Sequence, residues 1–246
     1  MMTLFSFLLL GFFLGMRHAT DADHVVAVTT IVSRERTVRN AALIGIVWGI
    51  GHTLTLLLAG GAIVLFGLVV SPRLGLSLEF SVGVMLVVLG FLNFKSFTRW
   101  VGNAAAANDL QGCGGHAHAH PHRHDKDDAS TAWFDLKFGR LGLYQSLRPL
   151  VVGIVHGLAG SAAVALLVLP LIQKPAWAVA YLLIFGVGTI GGMMLITAAL
   201  ALPLAYGAKR SLAFHRRLGL AAGLLSVGFG LFLLYQIGFV EGLLAK

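Results

Sequence analysis

Five stretches of this chain contain no Asp, Glu, Lys or Arg: residues 40–72, 80–94, 149–173, 175–208 and 218–240. A helix needs about 17 to 25 apolar residues to cross a bilayer's hydrocarbon. Each stretch therefore has room for one span, the 80–94 stretch provided that its flanking charges snorkel to the interface. The apolar run over residues 1–16 supplies one more. No Lys or Arg precedes it and no small-residue cleavage pattern follows, so it reads as a retained span rather than a secretory signal. The expectation is an all-α polytopic membrane protein with six transmembrane helices, near residues 3–20, 41–68, 79–98, 148–170, 176–203 and 217–239. Composition excludes a water-soluble fold: 57% of the residues are apolar and 11% are charged, where a soluble domain carries about a quarter charged. The 31 glycines suit such a bundle, because small residues let helix backbones approach closely where lipid gives no hydrophobic drive.

A net charge of +8 would point to nucleic acid in a soluble protein. Sorted by the sides of a six-span scheme, the same charge becomes a topology. Loops 16–40, 95–148 and 204–217 hold 15 of the 18 Lys and Arg residues, and the opposite side holds only Arg73, Lys174 and Lys246. The positive-inside rule makes the first side cytoplasmic and puts both termini outside. The expected setting is the cell's inner (plasma) membrane, with the lipid bilayer as partner and no nucleic acid. Cys113 is the single cysteine, so no intrachain disulfide framework exists.

The two halves of the chain match at an offset of roughly 138 residues, like internal repeats. Residues 14–18 (LGMRH) lie over 152–156 (VGIVH), 48–51 (WGIG) over 185–188 (FGVG), and Gly83 and Gly90 over Gly223 and Gly230. Each half holds three spans, an odd number, so the second enters the membrane in the opposite sense. Two inverted three-helix repeats are expected, with a site at their interface near the midplane. The domain scheme is repeat 1 over 1–98, a His-rich cytoplasmic loop over 99–147 and repeat 2 over 148–246.

The segment Arg17-His18-Ala19-Thr20-Asp21-Ala22-Asp23-His24 carries most of the chemistry. Two imidazoles and two carboxylates within seven residues, in or beside hydrocarbon, are costly unless function requires them. On a regular helix His18 and Asp21 share a face, His24 lies near it and Asp23 points elsewhere. Either the helix unwinds here or only some of the four are ligands. Imidazole with carboxylate suits divalent first-row metals such as nickel, cobalt or zinc. His52 falls near the middle of the second span, as a ligand, a proton carrier or an interhelical hydrogen-bonding group. His156, the repeat mate of His18, is followed by Ala159 and Ser161 where the first half has carboxylates, and stands as a further ligand or gate. His116, His118, His120, His122 and His124 alternate in the central loop, a composition suited to loose accessory metal capture.

The octapeptide resembles the RHAxDADH form of the HX4DH signature of the nickel/cobalt transporter (NiCoT) family of permeases. Gly51-His52-Thr53 looks like that family's GHS/T motif, and His156-Gly157-Leu158-Ala159-Gly160-Ser161 resembles a segment of its shorter urease-associated members. The resemblance implies a metal path through His18, Asp23, His24 and His52, with Ni²⁺ or Co²⁺ as substrate, no resident cofactor and no enzymatic activity. It also implies a cytoplasmic metallochaperone or urease maturation proteins as partners. The chain departs from the longer permeases in having six spans rather than eight. A His-rich loop is common in nickel/cobalt exporters, but those carry a different sequence after their first histidine, so uptake is expected and efflux is the alternative.

The expected mechanism is secondary alternating access, in which an imidazolium must lose its proton before the neutral ring can bind metal, so that transport weakens as pH falls toward about 5 to 6. A membrane potential would supply about 4.6 kcal/mol per dication per 100 mV. No phosphate-binding G-x-x-x-x-G-K-[ST] loop is present, so the chain does not itself hydrolyse ATP. Two other classes compete. An intramembrane serine hydrolase would need Ser161 to pair with His156, five residues away and about 140° round a helix, or with His24. A metal sensor built on the His tract would be abolished by deleting residues 113–124.

Overall fold

The computed structural model describes residues 4–33, 35, 37–66, 71–111, 143–158, 172, 174–210 and 212–244. Seven α-helices stand among the described residues: α1 (Leu4–His18), α2 (Ala22–Val32), α3 (Val38–Phe66), α4 (Pro72–Gln111), α5 (Leu143–Leu158), α6 (Pro175–Arg210) and α7 (Leu212–Tyr235), followed by a π turn over Gln236–Val240. Spacing decides which way each helix faces. In α1, Phe5, Leu9 and Phe13 recur every four residues and are exposed, while Phe7, Gly11, Gly15 and His18 are buried. In α3, Ile50, Leu54 and Leu58 are exposed on one side, and Trp48, His52 and Leu56 are buried on the other. Exposed apolar faces of this kind have lipid as their partner, and helices satisfy their own backbone within it. Four helices are long and apolar enough to cross a membrane, over Val38–Ile63, Pro72–Phe94, Pro175–Tyr206 and Arg217–Val240. The chain is a helical multi-pass membrane protein.

The six-span expectation meets these four, and two of its spans look different. The first is α1, whose 15 residues rise only about 22 Å at 1.5 Å each. The fourth, expected over 148–170, is described as α5 only to Leu158.

Helix extends into two of the expected loops. The cytoplasmic loop expected over 16–40 contains α2, an 11-residue helix whose His24, Val26, Ala27, Val28, Thr30, Ile31 and Val32 are buried. A search for gaps of span length skips it, because only ten residues separate Asp23 from Arg34. The expected 99–147 loop also begins and ends in helix. α4 continues through the helix-forming run Ala104 to Ala107 as far as Gln111, and α5 begins at Leu143.

α2 lies against α4 and α7, and the Thr30 hydroxyl donates to the Ala222 carbonyl of α7 at 3.2 Å. Ser226 of α7 in turn donates to the Leu86 carbonyl of α4 at 2.8 Å. The closest crossings run through glycines, where an added Cβ would land on neighbouring backbone or, at Gly186, on the Thr53 side chain. Gly15 meets Phe185 and Gly153 meets Trp48; Gly51 meets Leu150 and Gly188 meets Phe12; Gly49 meets Ile190 and Gly186 meets Thr53. In the α4–α7 crossing, Gly83 faces Gly230 and Gly90 faces Gly223.

Candidate metal centre

The chain leaves helical geometry at Ala19, Thr20 and Asp21, between α1 and α2. The Thr20 amide and hydroxyl both donate to the Arg17 carbonyl, at 2.8 and 2.6 Å, and the Asp21 amide donates to the His18 carbonyl at 3.1 Å. Asp21 is the N-cap of α2, yet its carboxylate makes no cap hydrogen bond. It accepts instead from His18 Nδ1 at 2.8 Å. A side chain that would ordinarily satisfy an orphan amide of the helix is thus committed to an imidazole.

This break resolves the register problem of the octapeptide, because α2 turns His24 and Asp23 toward residues that a continuous helix could not reach. Asp23 Oδ1 accepts from both the backbone amide and the Nδ1 of His24, at 2.9 and 3.0 Å. Asp23 Oδ2 accepts from His156 Nε2, on α5, at 3.1 Å. His52 of α3 comes in beside His18, with the two Nε2 atoms 3.0 Å apart. Four imidazoles from α1, α2, α3 and α5 therefore converge, with His24, His52 and His156 fully buried and His18 6% exposed. Ring centroids lie 4.4 Å apart for His24 and His156, 4.7 Å for His18 and His24, and 5.1 Å for His24 and His52.

The carboxylates also settle which nitrogens are free. With Nδ1–H of His18 given to Asp21 and Nδ1–H of His24 given to Asp23, each ring turns its Nε2 lone pair inward, and His156, donating from Nε2, keeps its lone pair on Nδ1. His24 Nε2, His52 Nδ1 and His156 Nδ1 are buried and have no hydrogen-bond partner among the described residues. Each buried polar atom left unpaired costs about 1–3 kcal/mol, a cost that a bound cation would remove. The donors form two overlapping groups, His18 with His24 and His52, and Asp23 with His24 and His156, each with ligand atoms within 4.8 Å of one another. Nitrogens at about 2.1 Å from one ion and at right angles to each other lie about 3 Å apart, the spacing seen between His18 and His52.

No family model matches the chain, and no solved structure does. It is 35% identical to the urease accessory protein UreH of Bacillus sp. (strain TB-90) over 240 residues, 98% of this chain and 95% of the relative. The chain belongs to the UreH family. Its resemblance to nickel/cobalt permeases, several of them urease-associated, points the same way. Membership of the UreH family also removes the hydrolase reading: the relative is an accessory protein and not an enzyme, and neither is this chain.

The six candidates outside the His-rich loop, His18, Asp21, Asp23, His24, His52 and His156, come together in one cluster. They differ in place: Asp21 is 43% exposed at its rim, whereas Asp23, at 17%, reaches into it. The accessory histidines His116, His118, His120, His122 and His124, and Ser161 with them, fall outside the described residues. One cluster residue was missed. Trp48 is fully buried, stacks on His24 at 5.8 Å and 14° and meets His156 edge-on at 5.6 Å, with its indole N–H unpartnered among the described residues. Its signal was its place one helical turn before His52, on the same face of α3.

Proposed function

We propose that the protein carries Ni²⁺ or Co²⁺ across the membrane, in the direction of uptake, and that His18, Asp23, His24, His52 and His156 hold the cation in transit. One observation carries this reading: four buried imidazoles on four different helices converge around a carboxylate, with lone pairs left unpaired. Such a site is unstable as a structural core and suited to a borderline divalent ion. Asp21 acts through His18 by fixing its tautomer. When the cation enters, the hydrogen bond between His18 and His52 gives way, and each ring offers a lone pair to the ion.

Alternating access between two inverted three-helix halves is the transport cycle we infer. The reciprocal glycine contacts support it, because Gly15 on Phe185 and Gly153 on Trp48 are the same contact seen from either half, as are Gly188 on Phe12 and Gly51 on Leu150. The site lies on helices of both halves, so a rocking of one half against the other would split its ligands. A cytoplasmic urease maturation protein or metallochaperone is the expected recipient, in keeping with the relative's designation as a urease accessory protein.

The test is uptake of radioactive nickel into oriented proteoliposomes by wild type, His18→Ala and Asp23→Ala. Accumulation by wild type and its loss in both variants is expected. Equal uptake by all three would sink the site assignment, and accumulation only from the cytoplasmic side would turn the direction to efflux.

A further inference from the structure

A cavity of about 240 Å³ opens among α2, α4, α7 and the π turn, lined by Ala22, Asp23, Glu79, Val82, Phe229, Leu233 and Ile237. Its wall is apolar except for two carboxylates. One of them, Asp23, has both oxygens hydrogen-bonded to cluster histidines, so the same side chain faces the cavity and the metal centre.

The other is Glu79. It is the single Asp or Glu within the four long spans, seven residues inside the Pro72–Phe94 span and half-buried. Among the described residues it makes no hydrogen bond or ion pair. A carboxylate kept inside a span without a partner is costly, and in membrane proteins such a group marks an ion path. None of the lining residues is basic.

Resting on the transport reading above, we propose that this cavity is the waiting chamber of the cation. Glu79 attracts and holds the hydrated dication there before Asp23 hands it to His24 and His156. The volume fits. Six waters at about 30 Å³ each need about 180 Å³, so a dication with its first hydration shell can sit in the chamber. The apolar remainder of the wall offers that shell no replacement ligands and favours onward transfer. Two carboxylates in a low-dielectric recess also focus the field and raise the local cation concentration. Shedding water is then spread over two steps, with Asp23 as the shared group.

Two measurements test the chamber in proteoliposomes. Glu79→Gln should raise the KM for nickel uptake about tenfold, by loss of this focusing, with the maximal rate the less affected of the two. Glu79→Asp should restore most of the loss. An unchanged KM in a variant that purifies as a single species would overturn the assignment. In a Cys113→Ser background, Leu233→Cys should react with a membrane-impermeant thiol reagent and lose uptake on reaction. Failure to react, or full uptake after complete reaction, would equally rule the chamber out. If wild type carries no nickel, the transport reading fails. If wild type carries nickel and these variants behave as wild type, only the chamber fails.

Discussion

His18 and His156 occupy matching places in the proposed repeat and meet different partners. Each follows a glycine by three residues, and each glycine rests on the backbone of a matching aromatic residue, Phe185 for Gly15 and Trp48 for Gly153. Around that common scaffold the partners diverge. His18 meets His52 and Asp21, whereas His156 meets Asp23. Where α3 has His52, the equivalent place on α6 has Thr189, whose hydroxyl donates to the Phe185 carbonyl of its own helix at 3.0 Å. In the proposed reading, symmetry belongs to the backbone crossings, and the ligands are loaded onto one side of it. Close packing needs glycine in both halves; a single cation needs one set of ligands.

The sharpest way to break this comparison is His24, which belongs to both donor groups. His24→Ala should lower nickel uptake and nickel affinity by about 100-fold or more, measured by isotope flux and calorimetry. A loss no greater than that of His52→Ala would show that the two groups act separately.

The glycines test the scaffold. Gly15→Ala and Gly153→Ala should each lower stability by about 1–3 kcal/mol, the cost of overpacking, read as thermal shifts in detergent. Gly191→Ala and Gly228→Ala should be neutral, since nothing stands within 4 Å of an added Cβ at either place. Unequal shifts for Gly15 and Gly153 would count against equivalent crossings.

A smaller effect is expected from making the halves chemically alike. His52→Thr should weaken nickel binding about tenfold by removing one ligand, while Thr189→Ala leaves binding as it is. Smallest of all, Asp21→Asn should raise the KM by roughly two- to threefold, because the amide oxygen still accepts from His18 Nδ1 and only the charge is lost. A tenfold rise would instead make Asp21 a ligand.

The helical class and four spans were legible because uncharged runs are long and unambiguous. α2 was not, since a buried helix of eleven residues obeys no span-length rule and is held by α4 and α7. The octapeptide announced an irregular backbone, as its four polar groups could not share one helical face, but which residues would unwind depended on Asp21 trading its capping role for His18. Glu79 entered the sequence analysis only as a span boundary. That it shares a wall with Asp23 depends on how α2 docks, which no local pattern encodes. His156 was recognisable by its offset from His18, and its contact with Asp23 was not.

Of the four tryptophans in the chain, Trp48 alone among the described residues lies against the cluster, stacked on His24. The protein thereby carries its own optical probe. A paramagnetic cation bound to His24 would sit close enough to quench indole emission, so cation arrival should be visible as a stopped-flow fluorescence decrease that Trp48→Phe abolishes, with no label attached.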